Sequence, residues 1–389
     1  MKIQLTKKAS QKIRKKNPLI QPEDLQTKIS DIPKEYLTFL DERGEILGTG
    51  YLGKQNKGIG WLISYEALKI NKTFLHELFQ TAVTKRKKFF QNNETTAFRL
   101  FNGEGDGFGG ITIDYYAGYL VISWYNETIY ALKEELLLTI SEVLSDNLGI
   151  VEKIRFQSDL PESNWYIGEK PAEPWLVKEN GINYATYLDE GYMTGIFLDQ
   201  KEVRKRLASG LAKEKKVLNM FSYTGAFSVA AAVGGAAGTT SVDLAKRSLD
   251  KTREQFEVNQ ISLEKQKIVV MDTFEYFKYA KRKGFSYDLI ILDPPSFARN
   301  KKKTFSVTKD YGRLIAESLE ILNPKGQIIA STNASNLTLK KFRQSIEKSL
   351  DEQGVTYQLK ETFRLPQDFP VAAFEESNYL KVLFYEIKK

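Results

Sequence analysis

The chain has 389 residues, no cysteine and one histidine, and its 57 basic and 49 acidic residues leave a net charge of +8. The missing thiols exclude disulfides, thiolate nucleophiles and cysteine-ligated zinc or iron–sulfur centres, and His76 alone cannot build a two-histidine metal site, so no metal is expected. At 42% hydrophobic and 27% charged residues, the composition is that of a globular protein of two or three domains.

The positive charge is uneven. Lys2, Lys7, Lys8, Lys12, Arg14, Lys15 and Lys16 fall in the first twenty residues with no acid among them. This arm is the first candidate for phosphate contacts with a polyanionic partner, and a solvated tail is its plainer alternative. The start, Met1-Lys-Ile-Gln-Leu5, lacks the apolar core of a signal peptide. The small apolar run from Val229 to Gly238 is far short of the ~20 residues that span a bilayer. A cytoplasmic protein that does not cross a membrane is expected.

Residues 1–74 carry short alternating segments between glycines, at Tyr36–Leu40, Glu45–Leu52 and Ile59–Ile63, and read as a small β module. From Leu75 to Gln91 the spacing turns helical, with Leu75, Leu78, Phe79 and Val83 on one face and Lys85-Arg86-Lys87-Lys88 on the polar side. Residues 75–190 then read as α+β: Phe98-Arg-Leu-Phe101 leads into a loop from Asn102 to Gly110, followed by strands at Ile111–Tyr115, Tyr119–Trp124 and Val151–Phe156, a helix from Tyr130 to Asp146, and a hairpin turning at Asn180-Gly181.

From residue 191 to the end, apolar β-branched runs alternate with helices, the pattern of βα units on a parallel sheet. Val217–Phe221 is followed by Ser222-Tyr223-Thr224-Gly225, which opens a helix of small residues at the place where open α/β sheets bind ligands. One glycine there is too few for the G-x-G-x-x-G turn of a dinucleotide site, which disfavours a nicotinamide-dependent oxidoreductase. Asp243, eighteen residues on, ends the next strand and suits a ribose diol. Asp272 ends the third and suits an adenine amino group, with a helix cap as its plainer role. Three such strand ends fit a nucleoside without pyrophosphate, and S-adenosylmethionine needs neither metal nor covalent help.

After Tyr287–Leu292 comes Asp293-Pro294-Pro295-Ser296-Phe297. Two prolines fix φ and remove two N–H donors, leaving carbonyl acceptors beside Asp293 for the N–H edge of a flipped base. Phe297 is placed to stack on that base, and Arg299, Lys301, Lys302 and Lys303 to hold the flanking phosphates.

With Phe98-Arg-Leu-Phe-Asn-Gly-Glu-Gly-Asp-Gly107, Met193-Thr-Gly-Ile-Phe-Leu-Asp-Gln200, Arg204, Asn219-Met-Phe-Ser-Tyr-Thr-Gly225, Val242-Asp243, Asp293-Pro-Pro-Ser-Phe297 and Glu376-Ser-Asn-Tyr-Leu-Lys381, nearly the whole chain resembles the ribosomal RNA large subunit methyltransferase I-like family. The resemblance implies an α/β protein: a small β-barrel PUA-like RNA-binding domain (1–74), an α+β middle domain (75–190) and a class I methyltransferase domain with a Rossmann-like sheet (191–389). It implies S-adenosylmethionine as cofactor, ribosomal RNA as partner, and a second copy of the chain as a further candidate partner. Phe197, Leu198, Asp199, Gln200 and Arg204 would border the cofactor, Phe221, Ser222 and Gly225 would hold its methionine part, Asp243 its ribose and Asp272 its adenine. Asn219, Tyr223, Thr224, Leu244 and Thr273 complete the cofactor set. Asp293, with Pro294, Pro295 and Phe297, would face methyl donor and base.

The chain departs from that family at three places. Ser331-Thr332-Asn333-Ala334 stands where cytosine-C5 members carry Ser-Cys-Ser, Leu19 follows Asn17-Pro18 where a tryptophan is frequent, and Asp368-Phe369-Pro370 replaces Asp-His-Pro. Methylation of a pyrimidine C5 ordinarily requires a thiolate, so the expectation moves to direct transfer onto a base nitrogen, with Asn333 among the RNA-contacting residues. The rival reading is a ribosome-assembly factor that binds RNA and keeps the fold without catalysis.

Overall fold

The computed structural model describes residues 1–299 and 304–388, with 298, 299 and 304 described by backbone alone. The chain forms two compact units: Met1–Lys178 with Thr186–Thr194 and Gln367–Ser377, and Glu179–Ala185 with Gly195–Pro366 and Asn378–Lys389.

In the first unit the basic start is not an extended arm. Lys7–Arg14 is a helix whose first turn is capped by Thr6, its Oγ1 accepting from the Ala9 N–H, and whose Ala9, Ser10 and Ile13 are buried. Short range could not announce it, because the partners are distant: Lys12 pairs with Asp24, Arg14 with Asp41, and Lys16 lies 4.0 Å over the Tyr65 ring. The five strands Lys2–Gln4, Leu37–Leu40, Ile46–Gln55, Gly58–Ser64 and Leu19–Ile20 form one sheet in that order. A second five-stranded sheet runs Ser163–Gly168, Gly149–Ile154, Tyr119–Trp124, Ile111–Tyr116 and Ala97–Asn102. The parallel pairing of Tyr119–Trp124 with Gly149–Ile154 requires a crossover, which the helices Glu127–Ala131 and Lys133–Val143 supply. Residues from both sheets share one core, where Tyr51 and Trp61 pack with Phe98, Phe101 and Phe108.

The helix Lys72–Lys85 buries Leu75, Phe79 and Ala82 as its spacing requires. Arg86, expected on the polar side, is instead fully buried, bidentate to Asp106 at 2.7 and 2.6 Å and donating to the Asp368 carbonyl. A guanidinium enters a core only with its protons satisfied, and Asp106 provides that from the glycine-rich turn. That turn explains its own composition: Gly103, Gly107 and Gly110 have positive φ, and a Cβ on Gly109 would lie 2.3 Å from the Trp61 ring. Asn180 and Gly181, which belong to the second unit, have φ of 50° and 79°, the left-handed pair that two-residue hairpins favour.

In the second unit, seven strands of the described residues make one sheet: β1 (Lys216–Met220), β2 (Gly238–Asp243), β3 (Gln266–Val270), β4 (Tyr287–Leu292), β5 (Leu322–Thr332), β6 (Thr356–Phe363) and β7 (Lys381–Lys388). Their order is β3-β2-β1-β4-β5-β7-β6, parallel except for β7, which runs antiparallel to β5 and β6. Leu218, Ile290, Leu292 and Ile328 are buried in its core, which is why these strands read as continuous apolar runs. The strand order reverses between β1 and β4, the point where such sheets open a crevice at their carboxyl ends. Among the described residues no helix is long and apolar enough to cross a membrane.

Candidate active site

The turn after β1 is held in an unusual shape. Phe221 and Tyr223 both have positive φ, 57° and 52°, a conformation that disfavours bulky side chains and persists only when neighbours enforce it. They are enforced: the Ser222 N–H donates to the Val242 carbonyl at 3.0 Å, and the Tyr223 N–H to Asp243 Oδ2 at 2.9 Å. Gly225, φ 78°, begins the helix Ala226–Val233, and a Cβ there would sit 2.5 Å from Thr252 Cγ2. The single glycine of the turn is therefore required both by φ and by space. Asn219 lies wholly in the core below, donating to Ser228 Oγ.

Asp243 is fixed by the same contacts, its Oδ1 accepting from the Ala245 N–H at 2.9 Å, while Leu244 beside it is 57% exposed. Asp272 caps the helix Thr273–Lys283, its Oδ1 accepting from the Phe274 and Glu275 N–H groups. The plainer role proposed for Asp272 is thus present, at the strand end where the candidate adenine contact is also placed.

Gly195–Gln200 lies against the turn. Thr224 Oγ1 donates to the Gly195 carbonyl at 2.6 Å, the Gly195 N–H to the Tyr223 hydroxyl at 3.1 Å, and the Phe197 and Tyr223 rings are 5.4 Å apart. Leu198–Gln200 is a short 3₁₀ turn with Leu198 and Gln200 buried. Arg204 does not reach into open space: it is buried, bidentate to Glu179 at 2.6 and 2.7 Å, and donates to the Phe197 carbonyl at 2.8 Å. Its place is behind Phe197, holding that backbone.

At the end of β4, Gln200 Nε2 donates to Asp293 Oδ1 at 3.2 Å and to Ser331 Oγ at 2.8 Å, and the Ser331 hydroxyl bonds to Asp293 in turn. Burial pushes the Asp293 carboxyl up to about 6, against these hydrogen bonds, which favour its charged form. The Tyr311 hydroxyl, buried beneath, lies 3.0 Å from both the Leu292 and Ser331 carbonyls and ties the ends of β4 and β5. Pro294 is buried, Pro295 exposed, and Phe297 63% exposed. Ser296 Oγ donates to Asn333 Oδ1 at 2.7 Å. Arg299 is described by backbone alone, in Phe297–Arg299 paired with Thr304–Ser306; Lys301 and Lys302, with Lys303, lie outside the described residues.

Sequence reasoning missed Ser331, Tyr311, Tyr379 and the placing of Lys381. The Tyr379 hydroxyl donates to Asp199 Oδ2 at 2.9 Å, and buried Lys381 donates to the Ala334 and Tyr379 carbonyls. The Glu376–Lys381 motif was a signal for the last two; nothing local marks Tyr311.

The sequence profile of the S-adenosylmethionine-dependent methyltransferases matches residues 98–385. The chain belongs to that family. A PUA-like domain matches residues 3–65. The methyltransferase is 48% identical to the Bacillus subtilis (strain 168) protein YwbD, named as a ribosomal RNA large subunit methyltransferase, over 100% of both chains. It is 30% identical to ribosomal RNA large subunit methyltransferase I of Yersinia pseudotuberculosis (strain IP 31758), over 89% of each. A crystal structure of a methyltransferase complexed with SAH superposes with a TM-score of 0.94 at 46% identity, covering 99% of this chain and 100% of that one.

Proposed function

We propose that this methyltransferase acts in the cytoplasm on large-subunit ribosomal RNA and methylates a base nitrogen directly, without a covalent enzyme–base intermediate. The observation that carries the reading is the Asp293-Pro-Pro-Ser-Phe297 loop at the end of β4, an enclosed carboxylate followed by an exposed aromatic ring. The names of the two relatives and the PUA-like match support RNA as the substrate class.

The β1 turn fits the cofactor: Phe221, Tyr223 and Gly225 hold the turn in a fixed left-handed shape, and Asp243 presents a fixed carboxylate. Phe197, Leu198, Asp199 and Gln200 with Phe221, Ser222, Tyr223 and Thr224 would line the methionine side, with Asn219 and Arg204 behind them. Asp243 and Leu244 would meet the ribose, and Asp272 and Thr273 the adenine. When bound, S-adenosylmethionine supplies an electrophilic methyl on a sulfonium. On the chain's side, ionised Asp293 and the Pro294 carbonyl accept base N–H groups, Phe297 stacks on the ring, and Pro295 keeps the loop rigid; positioning of this kind carries much of the rate of a direct transfer. No cysteine is present to activate a pyrimidine C5, whereas a ring nitrogen brings its own lone pair. Lys7, Lys8, Lys15 and Lys16, exposed on the first unit, would contact phosphates, with Lys12 and Arg14 shared between that role and their ion pairs.

The test is mass-spectrometric mapping of ribosomal RNA from a strain lacking the gene against its parent, followed by labelling of the mutant RNA with purified protein. One base should lose a methyl in the deletion strain and regain it in vitro. An unchanged RNA, or a 5-methylpyrimidine product, overturns the reading; protein that binds the RNA but transfers no label is an assembly factor instead.

A further inference from the structure

We infer that Gln200 and Ser331 are positioning residues that present the Asp293 carboxylate to the target base, charged and in one orientation. The inference rests on the RNA-methylating reading above and deepens it.

The register of the sheet brings two of the three side chains together. Leu292 of β4 lies beside Ala330 of β5, so Asp293 and Ser331, the next residues, follow on the same side of the sheet. The Tyr311 hydroxyl, 3.0 Å from the Ser331 carbonyl, holds Ser331 from below. Gln200 arrives from the turn Leu198–Gln200 and is buried, as Ser331 is.

The protons of this group can be assigned one by one. An ionised carboxylate only accepts, so the end of the Gln200 amide that meets Asp293 Oδ1 at 3.2 Å must be Nε2. Its second proton goes to Ser331 Oγ at 2.8 Å. A hydroxyl that accepts there has its own proton left to give, and Ser331 gives it to Asp293. The three side chains close a ring in which two donors converge on one carboxylate, and each donor favours the charged form. Gln200 Oε1 is buried with no hydrogen-bond partner among the described residues. A glutamine that served only packing would be expected to be met at both ends, whereas this one is satisfied on the side that serves Asp293.

Burial works against the ring, and so does Asp199 of the same turn; Arg204, on the helix Lys201–Arg206, works with it. Tyr311, on the helix Val307–Leu319, stays neutral beneath, its hydroxyl pushed up by burial. Loss of either donor would leave burial less opposed, and a protonated carboxyl would turn an O–H toward the base in place of a lone pair. Gln200 and Ser331 therefore act on the base through Asp293.

The experiment uses the full chain, tritiated S-adenosylmethionine and ribosomal RNA from the deletion strain, with kcat/KM measured from about pH 5 to 9. In the wild type the rate should rise along one limb centred near 6. Ser331→Ala and Gln200→Met each take one donor from the carboxylate. Each should move that limb up by about one pH unit, the scale of a hydrogen bond to a charged group, so that activity drops about fivefold at pH 6 and returns to within about twofold of wild type by pH 9. Loss of a merely structural residue would not be repaired by pH. Ser331→Ala should leave cofactor affinity within about twofold of wild type by calorimetry. In an Asp293→Asn background neither substitution should lower kcat/KM further by more than about twofold, because both act through that carboxylate. A limb that stays near 6 in either variant, a loss that persists at pH 9, or losses that multiply with Asp293→Asn overturns the positioning role. Carboxyl carbon NMR of the protein without RNA, with the Asp293 resonance identified by its loss in Asp293→Asn, follows the same ionisation and should show the same displacement. Wild-type protein that labels no RNA overturns the RNA-methylating reading instead, and the NMR titration still tests the ring.

Discussion

The two loops at the carboxyl ends of β1 and β4 solve different problems. The β1 turn is a backbone device: Phe221, Tyr223 and Gly225 take left-handed conformations, and main-chain N–H groups tie the turn to Val242 and Asp243. The Asp293–Phe297 loop is a side-chain device, stiffened by two prolines and ending on an exposed ring. Damage to the first should appear in cofactor affinity and stability, and damage to the second in turnover.

The sharpest way to break this division is Asp293→Ala. It should lower kcat by about 10²–10⁴-fold, the range of a positioned acid–base group, while calorimetry finds cofactor affinity within a few-fold of wild type; a parallel loss of affinity would merge the two loops into one function. Phe297→Ala should cost about 5- to 160-fold in kcat/KM for RNA, since base–aromatic stacking contributes about 1–3 kcal/mol, and should leave the melting temperature unchanged. Gly225→Ala should do the reverse. The left-handed backbone and the Thr252 contact should together cost about 1–3 kcal/mol of stability, with weaker cofactor binding, read by thermal melts with and without cofactor.

A pH profile sharpens the comparison on one side only. Ionised Asp293 accepts a base N–H about twice as strongly as its neutral form, and its carboxyl is raised to about 6, so kcat/KM should fall as pH drops through that value and level off above it. Asp293→Asn should remove that limb, and cofactor binding, proposed to rest on backbone and Asp243, should not share it. The smallest effect concerns the surface: each of Lys7, Lys8, Lys15 and Lys16 changed to Ala should lower the slope of log affinity against log salt by about 0.7–0.9 if it meets a phosphate, and by nothing if it is only solvated.

How much of this was legible in the chain depends on range. The central parallel strands announced themselves because both their faces are buried, so Leu289-Ile290-Ile291-Leu292 could hardly be anything else. The Asn180-Gly181 hairpin was equally legible, since the conformation is decided by two adjacent residues. What failed was everything decided at a distance. Arg86 sits in a run of four basic residues that reads as a solvated face, and only Asp106, twenty residues on, and Asp368, near the end of the chain, turn it inward. The Lys7–Arg14 helix was hidden for the same reason, its ion partners lying at Asp24 and Asp41. In the candidate site, Asp293 and Asn333 were visible as residues, but the Ser296 hydroxyl that joins their loops was not.

The return of Gln367–Ser377 to the first unit has a consequence for synthesis. Within that unit the Asp368 carbonyl and carboxylate receive Arg86 and the Arg99 N–H, and the Pro370 carbonyl receives Asn102 Nδ2. A growing chain ordinarily finishes its first domain before its last. Here the first unit carries a buried guanidinium one of whose acceptors, the Asp368 carbonyl, lies 282 residues further along the chain. A protein cut short after the sheet's fifth strand would leave Arg86 paired with Asp106 but without its Asp368 acceptor, and the first unit more open to proteolysis.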